Sequence, residues 1–209
     1  MGRSLRRAEI GELGEIFERH YLYKIQRKKD MILLKLYHYY ELDKGPFKNL
    51  SSLGINEAEE VLEKLRNRGD TFASKRSNDY LKIRRDLENQ AKTLFTSKGG
   101  KPKNDYPHYM TLGACDWIRN WYKDGRYIEI NLEEFKTNSI SFTYGDLFPT
   151  MRYKDDREYR GQVYTKNEIF ELVNKYGLPQ EWNKDGTNGP ERYIEVQVWD
   201  DEVIKKYIY

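Results

Sequence analysis

Arg192-Tyr193-Ile194-Glu195-Val196-Gln197-Val198-Trp199-Asp200 is the stretch on which the reading of this chain turns. Ile194, Val196 and Val198 fall on one side, and Glu195, Gln197 and Trp199 on the other. Strict alternation over this length marks a strand with one buried face. The second side sets a carboxylate beside an amide and an indole, which reads either as a solvated edge or as a site. Two stretches far upstream favour a site: Tyr37-His38-Tyr39 and Phe72-Ala73-Ser74-Lys75-Arg76-Ser77.

Working outward, residues 5–29 carry Leu5, Ile10, Leu13, Phe17 and Tyr21 near a 3.6-residue period, which predicts a helical appendage over residues 1–30. Met31 to Tyr40 reads as the first strand of a domain spanning 31–209. Ile55 to Arg68 reads as a helix capped by Asn56 and ended by Gly69. Thr71-Phe72-Ala73 reads as a short strand, Ser77 to Phe95 as a second helix, and Ser97 to Lys103 as a flexible basic loop. Tyr109 to Leu112 suggests a strand, followed by a helix through Trp117 and Tyr122. Strands are expected over Tyr127 to Leu132 and Asn138 to Tyr144, a charged surface loop over Arg152 to Arg160, and a helix over Lys166 to Tyr176 stopped by Gly177 and Pro179. The expected class is α+β, with a mixed, mainly antiparallel sheet and helices between the early strands.

Composition narrows the function classes. Charged residues reach 34%, yet 18 tyrosines lift the aromatic content to 14%, which suits a polar-surfaced globular domain and argues against disorder. A single cysteine, Cys115, excludes an internal disulfide framework and a cysteine-based zinc site, and fits a reducing compartment. No apolar run is long enough to span a bilayer and the N-terminus lacks a secretory core, so the protein is expected to be cytoplasmic with no membrane partner. Residues 64–103 carry 12 basic and 4 acidic side chains, whereas 104–209 carry 14 and 19. The basic block suggests a surface facing polyanions, with a solvated helix face as the plain alternative.

No nucleophile elbow, phosphate loop or dinucleotide fingerprint is present, and His20, His38 and His108 lack metal-ligand spacing, so no metal is expected. What remains is an ordered constellation: Leu36-Tyr37-His38-Tyr39-Tyr40, then Phe72-Ala73-Ser74-Lys75-Arg76-Ser77 leading into Asp79-Tyr80-Leu81, then Tyr193-Ile194-Glu195-Val196-Gln197-Val198. This order resembles the NAD-dependent ADP-ribosyltransferase superfamily. The middle and closing segments are similar to the Phe-x-x-x-Arg-Ser and Glu-Val-x-Val stretches of its DNA-modifying toxin branch known as DarT. The matches total about thirty residues. The position two before the Glu, often Gln or Glu in that fold, is Tyr193, and Gln197 stands two residues after instead.

The resemblance implies a split sheet of ADP-ribosyltransferase type, NAD as co-substrate, and transfer of ADP-ribose to RNA or single-stranded DNA by a toxin or phage-defence effector. An antitoxin or inhibitor protein is a partner such a toxin would have. Glu195, Arg76 and His38 would be the catalytic set. His38, Tyr39, Tyr80 and Tyr144 would contact NAD, and Lys82, Arg84, Arg85 and Gln197 the acceptor. Ser141, Thr143, Tyr144 and Asp146 form a second polar cluster at a strand end, and Tyr106 to Tyr109 with Trp117, Trp121 and Tyr122 an aromatic patch that is mostly core. Two alternatives stay open: a catalytically silent nucleic-acid-binding module, and a transferase that modifies protein.

Overall fold

The computed structural model describes residues 34–69 and 72–208. The chain divides between Leu34 and Lys35, and every described element belongs to the second unit. The helix expected over 5–29 and the first residues of the strand expected from Met31 lie outside the described residues.

Five strands form one sheet: β1 (Lys35–Glu41), β2 (His108–Leu112), β3 (Gly125–Asn131), β4 (Ile140–Thr143) and β5 (Glu195–Val198), in the order β3-β1-β2-β5-β4. All four ladders are antiparallel, so the expected mixed order gives way to a wholly antiparallel one among the described residues. Two helices, α1 (Ile55–Arg68) and α2 (Tyr80–Ser97), separate β1 from β2. After β2 come α3 (Asp116–Arg119), α4 (Leu147–Arg152), α5 (Lys166–Tyr176) and α6 (Pro179–Trp182). The class is α+β.

Several local expectations are corrected. Phe72–Lys75 is a 3-10 turn instead of a strand; so short an apolar run has no period to decide its type. Gly54, not Asn56, caps α1, while Gly69 ends it in the left-handed conformation (φ 69°) as expected. α3 stops at Arg119, three residues short of Tyr122. Residues 97–103 are tied down: Lys101 N–H bonds Asn138 O, and Lys103 N–H bonds Trp199 O. The charged stretch after Arg152 is likewise anchored, because Arg157 and Arg160 both pair with Glu191, which is fully buried.

Register decides which residues meet. Leu36 pairs Leu112, Tyr37 pairs Thr111, Thr111 pairs Glu195, and Glu195 pairs Thr143. Directly opposed residues share a face, so one face carries Tyr37, Thr111, Glu195, Gln197, Thr143 and Ser141. The opposite face carries Leu36, Met110, Val196, Val198, Phe142 and Ile140, all buried. Alternation on β5 is therefore as expected, but its second face is no edge. β5 is an interior strand, and α2 lies over that face: Leu87, Ala91 and Phe95 pack with Trp199, Leu147 and Val163. Glu195 is 7% exposed and Gln197 and Trp199 are sealed completely.

β1 and β2 pair at only two positions, Leu36–Leu112 and Tyr37–Thr111. Beyond them the ladder gives way to a side-chain bridge: His38 Nδ1–H donates to Tyr109 O (2.8 Å), and His38 Nε2 accepts from Phe47 N–H (2.8 Å). The imidazole stacks on Phe47 with centroids 4.0 Å apart.

Candidate active site

Burying a carboxylate, an amide and a hydroxyl in mid-sheet is costly unless each finds partners. Here they satisfy one another in a directed chain. Trp199 Nε1–H, which can only donate, bonds Ser141 Oγ (2.8 Å). Ser141 must then give its own proton to Gln197 Oε1 (2.8 Å). That fixes the Gln197 amide: its NH2 faces Thr143 Oγ1 (3.1 Å) and Glu195 Oε1 (3.2 Å). Thr143 passes its proton to Gly145 O (2.8 Å). The donor at Trp199 thus orients the Gln197 amide so that an N–H of Gln197 faces Glu195.

The second oxygen of Glu195 meets the Tyr193 hydroxyl at 3.3 Å, and the same hydroxyl lies 2.9 Å from Asp146 Oδ2. Asp146 caps α4, its Oδ1 accepting from Phe148 N–H (2.8 Å). Burial lifts the Glu195 carboxyl well above the ordinary carboxylate range, and the Asp146 charge lifts it further; burial also raises Asp146.

A cationic and aromatic wall closes the site. Tyr80, Arg84 and Glu88 recur every fourth residue on one face of α2. Arg84 Nε bonds Glu88 Oε1 and Ser51 Oγ (each 2.9 Å), its Nη1 bonds Tyr80 Oη (3.2 Å), and its guanidinium lies over the Tyr109 ring. Tyr109 Oη in turn donates to Glu88 (2.7 Å). Tyr80 stacks flat on Phe148 (5.2 Å, 5°), two residues past Asp146, and Arg76 lies over the Tyr80 ring at 4.4 Å. Arg66 of α1 holds the Arg76 segment by donating to the carbonyls of Arg76 and Ser77.

Of the residues singled out in the sequence, the structure gathers Glu195, Gln197, Arg76, Tyr80 and Arg84 into one cluster around Glu195 and Asp146. Tyr39 shares that face and packs with Tyr193, Cys115 and Ile118, its oxygen accepting from Cys115 N–H (2.6 Å). Four others stand apart. His38 lies on the opposite face by register, both ring nitrogens engaged by backbone, and burial holds its imidazole down at about 4. Tyr144 is fully buried away from this cluster, donating to Gly177 O among Tyr159 and Tyr176. Arg85 clamps the carbonyls of Ser51 and Leu53. Lys82 is exposed and makes no hydrogen bond or ion pair among the described residues.

Sequence reading missed Glu88, although its i+4 spacing from Arg84 on a helix was available as a signal. It also placed Tyr193 as a departure and Asp146 in a separate cluster, whereas the fold joins both to Glu195. An open groove lined by Glu41, Asp43, Arg68, Lys123 and Asp124 lies elsewhere and does not include Glu195. Among the described residues no helix is long and apolar enough to cross a membrane. No protein-family model, curated protein or solved structure matches the chain.

Proposed function

We propose that the domain is an NAD-dependent ADP-ribosyltransferase of ADP-ribosyltransferase fold, acting on a nucleic acid as a toxin or phage-defence effector. The observation that carries this reading is Glu195. Its carboxyl group is held on an interior strand between two neutral neighbours, the Gln197 amide and the Tyr193 hydroxyl, and the Arg84 guanidinium acts on it from α2. A buried carboxyl site kept dry beside aromatic and guanidinium groups suits a reaction that builds positive charge on a ribose next to a pyrophosphate.

In this reading Glu195 bonds the ribose 2′-hydroxyl, and the negative charge of its site stabilises the oxocarbenium-like state as nicotinamide leaves. Arg76 pairs with pyrophosphate oxygens, for which a planar guanidinium fork is suited, and Tyr80, stacked between Phe148 and Arg76, positions that guanidinium. His38 has no nitrogen left for NAD, so its part is to hold the parting of β1 and β2; Tyr39 is the first-strand aromatic on the Glu195 side. The α+β class with an open antiparallel sheet is compatible with this fold, although the split sheet expected of it is a single five-stranded sheet among the described residues.

The acceptor rests on the basic block, most of whose charges are engaged within the chain. Arg66, Arg68, Arg84, Arg85, Lys92, Lys98 and Lys103 each hold a carboxylate or carbonyl of the chain itself. The same engagement counts against a silent binding module. The test is incubation of labelled NAD with single-stranded DNA, duplex DNA, RNA or cell lysate, with Glu195→Gln alongside. Label on one nucleic acid, lowered about 10²-fold or more in the variant, is the expected result. Label on protein alone refutes the acceptor, and undiminished transfer by the variant refutes the assignment of Glu195.

A further inference from the structure

Tyr193 has one hydroxyl proton and two carboxyl neighbours. Its oxygen lies 2.9 Å from Asp146 Oδ2 and 3.3 Å from Glu195 Oε2, so the proton points to Asp146. A lone pair of the phenol oxygen then faces Glu195 Oε2. Two lone pairs held at that distance in a buried site repel, unless Glu195 Oε2 carries a proton and donates it to Tyr193.

The surroundings of the two carboxyl groups agree on which is ionised. Asp146 receives two short donations, from Phe148 N–H at 2.8 Å and from Tyr193, and it is only half-buried. Glu195 receives one amide contact at 3.2 Å and is nearly sealed. The charged and titratable groups facing the pair are Arg76 from the segment before α2, Arg84 on α2, Tyr109 on β2 and Cys115 before α3. Arg84 acts on both carboxyl groups and Arg76 on Asp146, which favours the charge on Asp146. Tyr193 itself keeps its proton, because burial and the adjacent Asp146 charge push its ionisation far up.

We propose that Asp146 is the second functional carboxylate of this site, joined to Glu195 through the Tyr193 hydroxyl, so that at neutral pH the pair holds one proton and one negative charge. Glu195 is the acid member and Asp146 the base. The role in transfer rests on the transferase reading; the shared proton does not. As the bond from ribose C1′ to the acceptor atom forms and the bond to nicotinamide breaks, the electron pair leaves with nicotinamide. The acceptor's proton passes to Asp146, the more open of the two groups. Asp146 thereby supplies from the turn after β4 a carboxylate that β5 does not carry at position 193.

The direct test uses the full chain without ligand. Infrared spectra at pH 7 should contain the carbonyl stretch of a protonated carboxylic acid, lost in Glu195→Gln. In Asp146→Asn the side chain still caps α4, the Tyr193 proton turns to Glu195, and the band should vanish at lower pH than in the wild type. Asp146→Ser, which also keeps a capping oxygen, should shift it in the same direction. A wild-type spectrum without the band at pH 7 overturns the proposal, as does an unmoved band in both Asp146 variants. The band present with no NAD consumed supports the shared proton and refutes the transferase reading. Where NAD is consumed, Asp146→Asn should lower kcat about 10²-fold or more with KM for NAD little changed; an unchanged kcat overturns the role given to Asp146.

Discussion

Replacing Arg84 by Met should be among the most damaging single changes in the domain. Met matches the length of the aliphatic stem but removes a guanidinium that is only 14% exposed and holds Glu88, a side chain with no exposure at all. The variant leaves the Glu88 carboxylate in the interior with the Tyr109 hydroxyl as its remaining partner, since Oε2 has no hydrogen bond even in the intact protein. Breaking a buried ion pair from one side costs about 3–5 kcal/mol, because the abandoned charge keeps its desolvation penalty. Against a typical domain stability of about 5–15 kcal/mol, this is a large share. Urea denaturation of the wild type, Arg84→Met, Glu88→Leu and the double variant would measure it. The double variant should recover at least about 2 kcal/mol of what Arg84→Met loses, because no charge is then stranded. A loss below about 1 kcal/mol for Arg84→Met, or a double variant as weak as the single one, would refute this account of the α2 face.

His38→Asn removes both backbone contacts and should cost about 1–3 kcal/mol at pH 7, because Phe47 N–H is left buried without an acceptor. The imidazole is held at about 4 in the folded state, so between its unfolded value near 6.5 and 4 the unfolded chain binds the extra proton. The His38 contribution is therefore present above about 6.5 and falls with pH by at most about 1.4 kcal/mol per unit. Urea titrations should show a smaller gap between wild type and variant at pH 5 than at pH 7; a constant gap would contradict the buried neutral imidazole. Trp199→Phe removes the donor that sets the Ser141–Gln197 chain and opens space beside Phe95, and should cost about 2–4 kcal/mol in chemical denaturation. A cost under about 1 kcal/mol would mean that the chain is not directed from Trp199.

The strand that carries Glu195 was legible because alternation is a local property of the backbone. Its burial on both faces was not, since that depends on α2 lying over the sheet. The same limit explains His38. Its neighbours Tyr37 and Tyr39 alternate with it, so sequence could say that His38 and Tyr39 face opposite ways. Which of them faces Glu195 depends on two ladders in succession, Tyr37 with Thr111 and Thr111 with Glu195. A shift of one residue in either would have exchanged them. Asp146 and Tyr193 meet across 47 positions of sequence, and no spacing rule connects them.

Charge counting misled for a related reason. A net charge sums residues without regard to their partners, so the block at 64–103 reads as a surface for polyanions. In the fold its guanidiniums are mostly struts: Arg66 to the Arg76 segment, Arg68 to Glu41, Arg85 to the carbonyls after Asn49. The planar, permanently charged fork that makes Arg good at gripping phosphate makes it equally good at gripping backbone carbonyls. Among the described residues, Lys75, Arg76, Lys82 and Lys101 are the members of the block for which no chain oxygen competes. An acceptor drawn to this surface would therefore be guided by few charges, and its affinity should depend on salt less steeply than twelve basic residues suggest.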